Sequence, residues 1–162
     1  MSINLVFLVL LVGGCGYALF RGGAPERAGA VIFGVGSVLT YVAVTLSPLR
    51  FRDVEVWVLA VDAATFAAFL VLALRAERFW PLWMTGLLGV GLVAHLAKLL
   101  SPGVVPWAYA VVLSVWSYPM LLLLVLGTRG HRKRLTKYGA DRSWTTSFTR
   151  SGRTKPPPGP PA

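Results

Sequence analysis

The sequence predicts an all-α fold: a polytopic integral membrane helix bundle with five transmembrane helices and a disordered, basic C-terminal tail. Two observations lead to this prediction. Of the 162 residues, 56% are hydrophobic and 14% are charged, whereas a soluble domain has about 25% charged residues. The mean hydropathy is +0.67, and nine of the 16 Lys and Arg residues follow residue 128. A long apolar segment therefore precedes a short basic one.

Five apolar runs are long enough to cross the bilayer core, which takes about 17 to 25 helical residues. They cover residues 3–20, 28–46, 54–74, 81–100 and 104–127. The connections between them are short and rich in Gly, Pro or charged residues, which favours antiparallel neighbouring helices. Residues 1–128 are thus predicted to form the transmembrane domain, and residues 129–162 a disordered cytoplasmic tail.

The first run contains LVGGC (11–15), which resembles the lipobox that precedes a lipidated cysteine. Cleavage there would leave four spans. However, the segment before it lacks the positive charge of a signal peptide, and the apolar run continues beyond Cys15. We therefore prefer five spans, with Cys15 in a small-residue patch that another helix can approach closely.

The second and fifth runs share a pattern of hydroxyl side chains, SVLTY (37–41) and SVWSY (114–118). The similarity is either chance or the remnant of an inverted repeat, and five spans do not divide into equal halves. In both cases the spacing places the polar groups on one helix face, which is predicted to face the bundle interior. These residues are Ser37, Thr40, Tyr41, Ser114, Ser117 and Tyr118.

Ionisable residues interrupt the third and fourth runs, where they are costly and seldom accidental. With a rise of about 1.5 Å per residue, Asp62 and His95 come to similar depths on the outer side of the bilayer midplane. Asp62 is therefore predicted to contact His95, with Glu55 and Lys98 nearer the outer surface. Three interpretations remain open: a clasp that fixes helix register, a proton relay, or independent side chains that reach the interface.

The basic segment after the fifth run sets the predicted orientation, because Lys and Arg favour the cytoplasmic side. It predicts a protein of the inner membrane with the N-terminus outside and the C-terminus inside; only Arg50 and Arg52 oppose this. The cluster is either a topology signal alone or a contact site for anionic lipid head groups. Its members are Arg129, Arg132, Lys133, Arg134 and Lys137.

Motifs for catalysis are absent from the sequence: there is no Gly-rich phosphate loop, HExxH or GxSxG. The single cysteine excludes an intramolecular disulfide, and the sequence predicts no metal, cofactor or nucleic acid. The first functional hypothesis is a non-catalytic accessory, assembly or scaffold subunit of a membrane complex, with a membrane-protein partner or as a homo-oligomer. The alternative is a small proton-coupled transporter or channel that uses Asp62, His95 and Lys98 as an intramembrane relay.

Overall fold

A computed structural model describes residues 5–46, 56–101, 111, 114–139 and 144. Within these residues the chain forms five helices, as the all-α prediction requires. They are α1 (Leu5–Arg21), α2 (Ala24–Leu46), α3 (Val56–Arg75), α4 (Trp80–Leu100) and α5 (Ser117–Tyr138).

The helix ends follow from local sequence. α2 has Pro25 and Glu26 in its first turn, where proline loses no hydrogen bond and a carboxylate complements the helix dipole. α4 likewise has a proline, Pro81, directly after its first residue. α5 ends at Gly139, whose φ of 71° is left-handed and whose N–H donates to the carbonyl of Leu135 at 2.9 Å. Glycine adopts that conformation without steric cost.

Three of the described helices, α2, α3 and α4, are long and apolar enough to cross a membrane. α1 is apolar but shorter, at 17 residues. Large apolar side chains stay exposed along the helices, for example Phe20 at 83% and Leu100 at 84%. Such an exposed apolar surface is what lipid contact requires, and the helices indicate membrane embedding. The predicted fifth span, 104–127, lies partly outside the described residues.

The helices close into a ring. Helices that are neighbours in sequence pack together from α1 to α4, and α1 also packs against α5, which contacts α2 and α4. Phe69, Met84 and Leu124 are completely enclosed at the centre. The first and last of the described helices are therefore neighbours in the bundle.

α5 runs through the predicted boundary between residues 128 and 129 and continues to Tyr138. The prediction of a disordered tail from residue 129 is therefore wrong for 129–138. Arg, Lys and Leu are good helix formers, so the helix continues through this segment. It ends where Gly139 adopts the left-handed conformation of a C-cap. Further along, Trp144 forms an isolated antiparallel backbone bridge with Ala76 in the α3–α4 loop. The remaining predicted tail residues lie outside the described part of the chain.

Candidate functional site

Asp62 of α3 and His95 of α4 are in contact. His95 Nε2 lies 3.0 Å from Asp62 Oδ2, with the His95 side chain completely buried and the Asp62 side chain 21% exposed. An ionised carboxylate only accepts hydrogen bonds, so in that state His95 Nε2–H donates to Asp62. The depth matching along two antiparallel helices thus identified the contact, and the role of the pair is a separate question.

The surroundings of this pair are tightly packed. Lys98, one turn along α4 from His95, is only 3% exposed, which disfavours the interpretation that it extends to the interface by itself. On α3, Thr65 is also buried and donates from Oγ1 to the Val61 carbonyl at 2.7 Å. A Cβ added at Gly36 of α2 would lie 2.9 Å from that Oγ1, so α2 approaches α3 closely here. Glu55 lies outside the described residues.

A second polar cluster, the Glu26 cluster, lies at the opposite end of α4 and consists of Glu26, Arg78 and Trp80. Glu26 is completely buried in the first turn of α2. Its Oε1 accepts a hydrogen bond from Trp80 Nε1 at 3.2 Å and lies 3.6 Å from Arg78 Nε. Within the part of the chain that the structure describes, Glu26 Oε2 is buried without a hydrogen-bond partner. The cluster joins α2 to the start of α4 through a carboxylate.

Glycines on α2 and α5 pack against the two ends of the Trp80 indole. A Cβ added at Gly29 of α2 would overlap Cη2 and lie 3.1 Å from Cζ3; one added at Gly127 of α5 would lie 2.7 Å from Cδ1. Trp80 itself is 7% exposed. The indole therefore fills a gap between α2 and α5 that exists only because both positions lack a side chain.

The side chain of His131, on α5, lies beside the Glu26 cluster. The imidazole Nδ1 and Glu26 Oε2 lie 3.1 Å and 3.0 Å from a single point, the Cβ position of Gly23 in the α1–α2 turn. The two atoms are thus no more than about 6 Å apart, which places the His131 imidazole at the edge of the Glu26 cluster. Five segments meet here: the α1–α2 turn, α2, the α3–α4 loop, α4 and α5.

Apolar side chains separate the two polar groups. Buried residues between the levels of His95 and Glu26 include Phe69 and Leu72 on α3 and Met84 on α4, and Leu124 of α5 joins them in one continuous core. In that core, the two threonines Thr65 and Thr85 donate to carbonyls of their own helices. Protons cross such a layer poorly, because unpaired charge is costly there.

The hydroxyl prediction is only partly correct. Ser37, Thr40 and Ser117 are half-buried, but Tyr41, Ser114 and Tyr118 are exposed. Ser37 Oγ donates to the carbonyl of Phe33 on its own helix at 2.8 Å, and the Tyr118 ring packs edge-on against Phe7 of α1. A serine can satisfy its hydroxyl within its own helix, so hydroxyl spacing alone did not identify the inward face.

The predicted basic cluster also divides in two. Four of its residues are exposed on α5: Arg129, Arg132, Lys133 and Lys137. Arg134 is half-buried, and its Nη1 lies 3.3 Å from the Cβ position of Gly130. These five side chains therefore do not present one surface.

Residues 5–46, 56–101, 111, 114–139 and 144 contain no group of three His, Cys, Asp or Glu side chains that could hold a metal ion. Comparisons with protein-family models, with curated proteins and with solved structures find no match for this chain. The Asp62–His95 pair and the Glu26 cluster are therefore the features of the molecule that bear on its function.

Sequence reasoning missed the Glu26 cluster, because Glu26 lies in a connection, RGGAPER (21–27), that reads as an exposed polar turn. One signal was available. Glu26 is an acidic residue among the Arg residues of the connections at one end of the bundle, and a Trp follows Arg78 at the start of the fourth run. An acid in such a basic region can be a partner for an arginine rather than a solvated side chain.

Proposed function

We propose that the chain is a non-catalytic accessory, assembly or scaffold subunit of a membrane complex. The observation that supports this is the way its buried ionisable groups are used. Asp62 with His95 joins α3 to α4, and Glu26 with Trp80 and Arg78 joins α2 to α4. Each of these contacts links side chains from different parts of the bundle, as is expected of residues that hold helices in one arrangement.

The proposal includes five membrane crossings in the inner membrane, with the N-terminus outside and the C-terminus cytoplasmic. Its support is the distribution of arginines at the helix ends. Arg21, Arg27, Arg75 and Arg78 all lie at the end of the bundle where α1 and α3 end and α2 and α4 begin. Arginines in short loops favour the cytoplasmic side.

The test is purification of the tagged full-length protein from its native membrane in a mild detergent, with identification of co-eluting proteins and the mass of the complex. We expect one or more membrane proteins in a constant ratio to this chain. A matched purification of the exposed-site variant Trp83→Phe should recover the same partners. A mass that corresponds to this chain alone, or to copies of it alone, would contradict the accessory role.

A second candidate function is proton-coupled transport through Asp62, His95 and Lys98. The observation that favours it is the partial exposure of the Asp62 side chain beside a buried imidazole, since an acid and a histidine in contact can exchange a proton. The apolar layer next to the pair argues against it. Proton flux into vesicles containing the wild-type protein, abolished by Asp62→Asn and retained in the exposed-site variant Glu77→Gln, would establish transport; absence of flux would exclude it.

A further inference from the structure

One face of α5 continues past the part of the bundle that covers it. Its positions alternate in steps of four and three residues, as on a helix face that packs against other helices; they are 117, 121, 124, 128, 131, 135 and 138. Leu124 and Thr128 are completely buried, and His131 is half-buried. The last two residues, Leu135 and Tyr138, are 47% and 67% exposed. The bundle therefore covers this face only as far as His131.

The exposed end of this face lies beyond the α1–α2 turn. Gly23 of that turn lies beside His131, and at a rise of about 1.5 Å per residue Leu135 and Tyr138 are about 6 Å and 10 Å further along the helix. They continue the side of α5 that packs against α1, α2 and α4, whereas lipid surrounds the outside of a helix bundle. An exposed apolar face in this direction is suited to another helix rather than to the bilayer.

The residues that flank the exposed end are basic. If the face is written as a heptad with Leu135 at position a and Tyr138 at position d, Arg132 and Arg134 occupy positions e and g. Side chains at e and g set the choice of partner helix by forming ion pairs with it. Residues 129–138 contain five Lys or Arg residues and no Asp or Glu.

Charge complementarity selects the occupant of this face. The same helix of a second copy would place like charges opposite one another, which disfavours pairing. The exposed Glu77 at this end of the bundle is a single residue of the α3–α4 loop, whereas the pairing requires acidic residues along both sides of an apolar stripe. A helix of another protein with that pattern would match both the apolar and the basic residues of α5.

We propose that Leu135 and Tyr138 form a docking face for a helix of a partner protein in which Asp or Glu residues flank an apolar stripe. The two apolar side chains supply the contact, and Arg132 and Arg134 select the acidic flanks. The inference rests on the proposed accessory role and deepens it, because it assigns a surface and a partner chemistry to that role.

Site-specific photo-cross-linking of the full-length protein in its native membrane tests the proposal. The photoreactive amino acid p-benzoylphenylalanine replaces Leu135 or, in the matched control, Lys133, which lies at heptad position f on the opposite side of α5. Mass spectrometry then identifies the attached segment. From position 135 we expect attachment to a helical segment of another protein with Asp or Glu beside apolar residues, and from position 133 a much lower yield.

Two double variants measure how much the face contributes to recovery of the partner. Leu135→Ser with Tyr138→Ser should recover at least about tenfold less partner in the detergent purification, because side chains at the centre of an interface carry most of its affinity. The control, Lys133→Ser with Lys137→Ser, changes the opposite side of the helix and should stay within about twofold of wild type. All four positions are exposed, so both variants should keep the wild-type free energy of unfolding.

Attachment from position 135 to lipid, to a second copy, to the chain's own residues after 139 or to a segment without acidic residues would overturn the proposal. Equal yields from positions 135 and 133, or equal losses in the two double variants, would overturn it as well. The wild-type purification separates this failure from that of the accessory role. If partners co-elute but none is attached at position 135, the docking face is wrong and the accessory role stands; if none co-elutes, both are wrong.

Discussion

Replacement of Gly29 by alanine should disrupt the packing of Trp80 against α2 and lower the free energy of unfolding. A Cβ at this position overlaps Cη2 of the Trp80 indole, whereas non-bonded carbon atoms are most favourable at about 3.5 to 4.0 Å. The indole is rigid and its other end lies against Gly127, so it cannot move aside without loss. Either the ring stays and the contact is overpacked, or it shifts and Trp80 Nε1 leaves the buried carboxylate of Glu26.

Both outcomes have a similar cost. Overpacking a close-packed contact costs about 1 to 3 kcal/mol, and loss of a hydrogen bond to a charged group costs about 1.5 to 3 kcal/mol. Alanine also gains about 1 kcal/mol over glycine in helix propensity. The matched control is Gly34→Ala on the same helix, where an added Cβ meets no atom within 4 Å. The propensity gain is common to both variants, so Gly29→Ala should be about 1 to 3 kcal/mol less stable than Gly34→Ala.

The free energy of unfolding can be measured by circular dichroism while the detergent-solubilised protein is titrated with sodium dodecyl sulfate. Wild type, Gly29→Ala and Gly34→Ala are compared under one set of conditions. If Gly29→Ala were as stable as Gly34→Ala, the indole would have free space, and the close contact between α2 and Trp80 would be wrong.

Three further predictions use the same measurement or a related one. Trp80→Phe keeps an aromatic ring but loses the hydrogen bond to the buried carboxylate of Glu26, so it should lower the free energy of unfolding by about 1.5 to 3 kcal/mol. The control, Trp83→Phe at a 67% exposed position, should change that free energy by less than about 0.5 kcal/mol. Equal effects of the two variants would contradict the role of the Trp80 Nε1–H. A double-mutant cycle with Asp62→Asn and His95→Gln should show a coupling energy of about 0.5 to 1.7 kcal/mol, and additive effects would mean that the contact contributes nothing. Gly139→Ala places a side chain on a residue with left-handed backbone conformation, at a cost of about 1 to 2 kcal/mol. This variant should therefore speed amide hydrogen exchange in the last turn of α5. Unchanged exchange would mean that Gly139 does not cap the helix.

The helical class and the Asp62–His95 contact could be predicted because both follow from the positions of residues along the sequence. Apolar runs have the length that a bilayer requires, and positions on antiparallel helices can be matched by depth from the helical rise alone. α3 and α4 are joined by a short loop, so the matched residues had little freedom to lie apart. The predicted bounds 54–74 and 81–100 agree with Val56–Arg75 and Trp80–Leu100 to within two residues.

The Glu26 cluster and the continuation of α5 depend on information that a hydropathy pattern does not contain. Glu26 is enclosed by residues far away in sequence, and its burial follows from the way α2, α4 and α5 converge. Hydropathy likewise marks where a chain leaves the apolar region but not where its backbone stops being helical. The end of α5 is set by Gly139, and the basic residues before it are compatible with a helix.

The ring of helices has a consequence for biogenesis. α1 packs against α5, with Gly14 close to Leu121 and Val125, yet these are the first and last of the five described helices to be synthesised. The surface of α1 that packs against α5 therefore stays uncovered by α5 until α5 has been synthesised. The site that receives the Trp80 indole is also incomplete until Gly127 has been synthesised and has packed beside the ring. A chain that stops before α5 thus lacks the helix that covers one side of both α1 and the Trp80 indole.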